Sequence, residues 1–71
     1  MTKKEFKRRI GERIVKQREE KGWTQSDLAR AANKDRQAIH KIEKGSVNPT
    51  AFTLWELSDT LDLSLSELVA I

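Results

Sequence analysis

Apolar side chains recur along this chain at helical spacing, in short runs broken by residues that favour turns. Phe6, Ile10, Ile14 and Val15 mark one face of a first helix that runs up to Gly22. Recurrence at roughly every third or fourth position is the pattern of a helix with one buried face. Thr2 followed by Glu5 resembles a capping box, in which two side chains satisfy each other's free backbone amides. Gly11 sits inside this run at a cost of about 1 kcal/mol relative to alanine. Residues 1–10 are therefore either a basic N-terminal extension or the start of the first helix, and one continuous helix is the expectation. Gly22 suits the left-handed residue that ends a helix, because it has no β-carbon to strain.

Trp23-Thr24-Gln25-Ser26-Asp27-Leu28 reads as a second start: Thr24 can cap, Asp27 lies in the first turn, and Trp23 can pack on Leu28 as a hydrophobic staple. This second helix is expected from about Gln25 to Ala32. Asn33 tolerates the left-handed conformation, and Asp35 can cap a third helix from Arg36 to Lys44, apolar at Ile39 and Ile42. Gly45 ends it, Ser46-Val47-Asn48-Pro49 forms a loop, and Thr50 caps a fourth helix with Phe52, Leu54, Leu57 and Leu61 inward. Asp62 closes that helix. Ser64 with Glu67 opens a short fifth one, burying Leu65, Leu68 and Val69. The pattern predicts an all-α fold of five helices over a single domain, residues 1–71, with no strand, repeat or low-complexity linker.

Composition narrows the function classes. A chain of 71 residues leaves little room for a sheltered cleft. It has no cysteine and one histidine, His40, so disulfides, thiolate metal sites and multi-histidine sites are excluded. There is no nucleophile beside a base, no metal-ligand cluster and no phosphate-binding loop, so no catalytic residue, metal or cofactor is expected and the chain does not read as an enzyme. No apolar run approaches the roughly 20 residues of a membrane span, and Met1 to Ile10 is too charged for a secretory signal, so a cytoplasmic protein is expected. Charge changes the picture more. Residues 1–21 hold nine Lys or Arg against four Glu, whereas residues 51–71 hold four acids and no base. A basic front and an acidic back suit a protein that turns one side to a polyanion, although a solvated lysine-rich face has the same composition.

Taken together, Arg18, Gly22-Trp23-Thr24-Gln25, Leu28-Ala29, Ile39, Ile42-Glu43, Gly45, Pro49, Leu54, Leu57, Leu61 and the Ser64–Leu68 segment resemble the Cro/repressor helix-turn-helix family of bacterial and phage regulators, the xenobiotic-response-element type. The resemblance spans roughly Ile10 to Val69 and implies a compact lambda-repressor-like domain with the helix-turn-helix at about 25–44. Ala29 agrees physically, since two helices joined by a tight turn need a small side chain where they cross. Two positions depart from the family pattern. Asn33 stands where glycine is usual, and Lys34 where an aliphatic side chain is usual; Lys34 either forfeits a core contact or buries its stem with the ammonium out.

The resemblance implies a double-stranded DNA partner, with the third helix in the major groove. Arg36, Gln37, His40 and Lys41 are then the candidate base contacts: arginine can pair with guanine O6 and N7, glutamine with adenine N6 and N7. Without the motif, the same set would read as a solvated helix face. Backbone-contact candidates are Gln25, which family members commonly use for this, and Thr24, Lys44, Ser46, Asn48 and Thr50, although local capping is the stronger reading of the hydroxyls. Glu43 stands near the unfavourable C-terminal end of its helix dipole and needs a cation. The resemblance points to Arg18 as a structural partner. Such domains generally bind as symmetric pairs, so a homodimer through Trp55, Val69 and Ile71 at the acidic C-terminal end is expected, with a capped core edge as the other reading of Trp55. The principal function expected is a sequence-specific transcriptional regulator, most simply a repressor. The alternative is an antitoxin or interaction module of the same fold that grips a toxin or another protein through its C-terminal face.

Overall fold

The computed structural model describes Met1–Ile71 as five helices without a strand: α1 Lys3–Glu20, α2 Gln25–Ala31, α3 Arg36–Lys44, α4 Ala51–Thr60 and α5 Leu65–Leu68. Each begins at a short polar side chain that accepts a backbone N–H of the first turn: Thr2, Thr24, Asp35, Thr50 and Ser64. At α2 and α5 the exchange is reciprocal, with Asp27 and Glu67 accepting the N–H of Thr24 and Ser64. At α1 it is not. The Glu5 N–H donates to the Thr2 hydroxyl at 3.1 Å, but the Glu5 carboxylate meets that hydroxyl, at 3.4 Å, and not the Thr2 amide.

The first four helices also stop alike. Gly22, Asn33, Gly45 and Asp62 all have positive φ, of 71, 55, 75 and 60°. The N–H of the next residue then reaches back to a carbonyl of the last turn: Trp23 to Arg18, Lys34 to Ala29, Ser46 to Lys41 and Leu63 to Ser58. Asn33 and Asp62 do this without glycine, as short polar side chains can.

Ile10, Ile14, Leu28, Ala29, Ala32, Ile39, Ile42, Leu54, Leu57, Leu61 and Leu68 form one buried cluster, with Phe6, Trp23, Val47, Leu63, Leu65, Val69 and Ile71 packed against it. Phe52 corrects the expectation that it points inward: it is 65% exposed and stacks on Trp55 with ring centroids 5.9 Å apart. The reason is angular. At about 100° per residue, Phe52 lies roughly 200° from Leu54, so the face closed by Leu54, Leu57 and Leu61 excludes it.

Gly11 shows why the first helix tolerates glycine. A β-carbon there would sit 2.3 Å from the Glu43 carbonyl oxygen, so the α1 and α3 backbones touch directly. Farther up α1, Arg8 packs on Gly45, where a β-carbon would lie 3.2 Å from the Arg8 Cα. Lys34 keeps its stem covered and places its ammonium 2.7 Å from Glu56 Oε1 on α4, off the direction of a good hydrogen bond, so the attraction is coulombic. Lys21 makes a parallel tie from the end of α1 to Asp62, at 2.5 Å, and lies over the Trp23 ring.

Candidate nucleic-acid interface

α3 has nine residues, of which two are buried, five exposed and two, Ala38 and Glu43, in between. Ile39 and Ile42 face the core, while Arg36, Gln37, His40, Lys41 and Lys44 are exposed. Arg36, Lys41 and Lys44 have no acidic partner, in contrast to Arg18, Lys21, Arg30 and Lys34, each of which does. The candidate base contacts thus share one outward surface, whose edge runs into a groove lined by Lys34, Asp35, Gln37, Lys41 and the residues 47–50.

Glu43 is the acid of α3, and it is turned away from that surface. Its carboxylate receives two bonds from Arg18, Nε to Oε2 at 2.7 Å and Nη2 to Oε1 at 3.1 Å. Arg18 also donates Nη1 to the Trp23 carbonyl at 2.8 Å. The side chains are 12% and 4% exposed, so the pair is largely shielded from solvent. Hydrogen bonding to Glu43 raises the Arg18 pKa above its ordinary value. A forked guanidinium on a carboxylate is directional as well as attractive, so it fixes α1 against α3 in one orientation.

Gln25 joins this pair from α2. Its amide nitrogen donates to Glu43 Oε1 at 2.9 Å and lies 3.4 Å from His40 Nδ1, and its oxygen accepts from Arg36 Nη1 at 3.4 Å. Sequence reasoning treated Gln25 as a ligand contact alone and missed this internal use; nothing in a linear pattern pairs residue 25 with residues 36, 40 and 43. The hydroxyls are likewise engaged locally. Thr24 and Thr50 accept N–H bonds from Asp27 and Thr53, and Ser46 donates to the Lys41 carbonyl at 3.1 Å. Asn48 and Lys44 are exposed beside them.

The other end of the molecule has different chemistry. Trp55, 49% exposed, stands with Phe52 on the outer face of α4, whereas Val69 and Ile71 pack against the core and keep only part of their surface free. No group of His, Cys, Asp or Glu is placed to hold a metal ion, and no helix is long and apolar enough to cross a membrane.

Comparison with known proteins gives a consistent result. Residues 14–68 match the helix-turn-helix family HTH_3. Over 65 residues the chain is 34% identical to the uncharacterized HTH-type transcriptional regulator y4dJ of Sinorhizobium fredii, covering 92% of this chain and 84% of that protein. The fold superposes with a TM-score of 0.82 on the restriction-modification controller protein C.AhdI from Aeromonas hydrophila, 30% identical, covering 86% of this chain and 92% of that one. It superposes with a TM-score of 0.89 on an HTH_3 family transcriptional regulator from Vibrio cholerae, 28% identical, covering 97% of this chain but only 39% of that one.

Proposed function

The chain belongs to the HTH_3 helix-turn-helix family of DNA-binding transcriptional regulators, not to an enzyme class, and from that premise we propose that it is a sequence-specific regulator, most simply a repressor. In this reading it works in the cytoplasm and inserts the exposed face of α3 into the major groove. The observation that carries the reading is the inward Glu43: with its carboxylate held by Arg18, α3 turns only neutral and cationic side chains outward. Repulsion between the Glu43 carboxylate and phosphate is thereby removed from the element that must approach the duplex most closely.

Arg36 and Gln37 stand in the first turn of α3, where guanine and adenine edges are read by paired hydrogen bonds, and His40 and Lys41 continue the surface one turn on. Thr24, Gln25, Lys44, Ser46, Asn48 and Thr50 supply contacts to the backbone, which set register without reading sequence. The longest extent of the molecule is 30 Å, slightly less than the roughly 34 Å of one helical turn, so one copy suits one half-site. A symmetric dimer would join two such copies, with Trp55 as its anchor and the free edges of Val69 and Ile71 beside it. Selection of bound duplexes from a random pool tests the reading. Enrichment of a two-fold symmetric motif is expected; recovery of unenriched sequence at moderate salt rejects it.

The Phe52–Trp55 stack also supports a second reading, an antitoxin or interaction module that holds a protein through this end. Co-purification of an unrelated chain, lost with Trp55→Glu, would favour it.

A further inference from the structure

We propose that the first turns of α1 make a second cationic contact with DNA, gripping backbone phosphates on the flank of the groove entered by α3; this rests on the DNA reading above. α1 does not end where it meets α3. It crosses the C-terminal end of α3 where Gly11 touches the Glu43 carbonyl and Arg8 packs on Gly45. Residues 3–7 continue past that crossing for about 7 Å at 1.5 Å per residue.

The side chains on this overhang are sorted by position. At about 100° per residue, Lys4 and Lys7 lie within roughly 40° of Gly11, on the stripe of α1 that faces α3. Below the crossing the same stripe carries Arg18, bound to Glu43. Above it α3 has ended, and the neighbouring chain is the Gly45 turn with Lys44 and Ser46 exposed on either side. Lys4 is exposed, and Lys7 is half-buried. Neither has a carboxylate within salt-bridge distance, whereas Arg8 and Arg9 on the same turns are held by Glu12 and Glu5. Lys4, Lys7 and Lys44 therefore form an unneutralised cationic edge continuous with the reading face.

A row of separate ammonium groups suits a row of phosphodiesters. Lysine binds phosphate as a point charge and distinguishes no base, so the contact adds affinity and lengthens the footprint without changing the motif. Lys16 is the internal contrast: it is also unpaired, but it lies roughly 140° from Gly11 on α1, away from α3.

The test uses wild type, Lys4→Gln/Lys7→Gln and Lys16→Gln on the selected operator. Duplexes end either at the motif or about one helical turn beyond it on each side, and the salt concentration is varied. On the long duplex the double variant should show a salt slope shallower by about 1.8 per half-site, for two phosphates at about 0.9 each, and so by about 3.6 for a dimer on the two-fold operator, with the same selected motif. Lys16→Gln should keep the wild-type slope. Wild type should lose the same increment on the short duplex, a comparison that decides the matter even if the double variant is poorly folded. An unchanged slope on shortening the duplex, or an equal effect per charge from Lys16→Gln, overturns the proposal. If wild type selects no motif at all, the DNA reading itself has failed, and this contact with it; a clear motif with no slope change defeats this contact alone.

Discussion

α3 and α4 have nine and ten residues, each starts at a side-chain cap, and each is followed by a left-handed residue, yet their outer faces share almost nothing. α3 turns out Arg36, Gln37, His40, Lys41 and Lys44; α4 turns out Phe52, Trp55 and Asp59. Each carries an inward-leaning glutamate met by a cation from another element, Glu43 by Arg18 and Glu56 by Lys34. The two pairs differ in quality. The first is bidentate, joined by Gln25 and nearly closed to solvent, while in the second both side chains remain about a quarter exposed. Caps and stops make the helices, then, and the disposal of charge leaves one of them with an outer face of neutral and cationic side chains alone.

The sharpest way to break this contrast is to remove the two glutamates in turn. Glu43→Ala leaves the Arg18 guanidinium without its partner in a shielded site and should cost about 3 to 5 kcal/mol in urea or thermal unfolding. Glu56→Ala, at a more open pair, should cost about 1 kcal/mol or less. Equal losses would mean that the Arg18 pair has no special standing. Next in size is Gly11→Ala. Helix propensity alone favours alanine by about 1 kcal/mol, but the new methyl would collide with the Glu43 carbonyl, so a net loss of about 1 to 3 kcal/mol is expected. A stabilised variant would refute the direct contact of the two backbones.

Surface substitutions should separate the helices by assay and not by stability. Lys41→Ala should weaken operator binding by about 1 to 3 kcal/mol and leave the melting temperature in place. Trp55→Gln should spare the half-site motif and lower the fraction of dimer in sedimentation; a monomer at every concentration in wild type would remove α4 from that role. The smallest expected effect comes from acid. Hydrogen bonds from the Thr24 and Ser64 backbone amides hold the Asp27 and Glu67 carboxyls below their ordinary pKa values. Because the native pKa values lie below the unfolded ones, this stabilisation is complete above the usual carboxylate range, near about pH 4, and fades as pH falls from there through the lowered native values. Asp27→Asn with Glu67→Gln should therefore flatten the acid limb of a plot of melting temperature against pH.

Much of the fold was legible because its signals are local. Thr24, Asp35, Thr50 and Ser64 announce helix starts, and Gly22, Asn33, Gly45 and Asp62 announce stops, each through interactions within a few residues. Phe52 was misread because apolar character was counted without its angle: it and Leu54 cannot share a face two residues apart. Gly11, Lys34 and Gln25 were opaque for another reason. Their partners, the Glu43 carbonyl, Glu56 and the Glu43 carboxylate, come from elements distant in sequence, and no periodicity encodes that meeting. The candidate reading face was legible as a set of polar residues left over once Ile39 and Ile42 were assigned inward. The withdrawal of the Glu43 carboxylate from it was not, since that depends on where Glu43 points.

The central claim, that the outward face of α3 reads base edges, is tested most directly by repeating the duplex selection with Gln37→Ala. Wild type should enrich a defined motif, and the variant should lose preference at one position of each half-site, at a cost of about 1 to 3 kcal/mol, with the rest of the motif and the salt slope intact. A variant that recovers the full wild-type motif, weakened equally at every position or not at all, would contradict it.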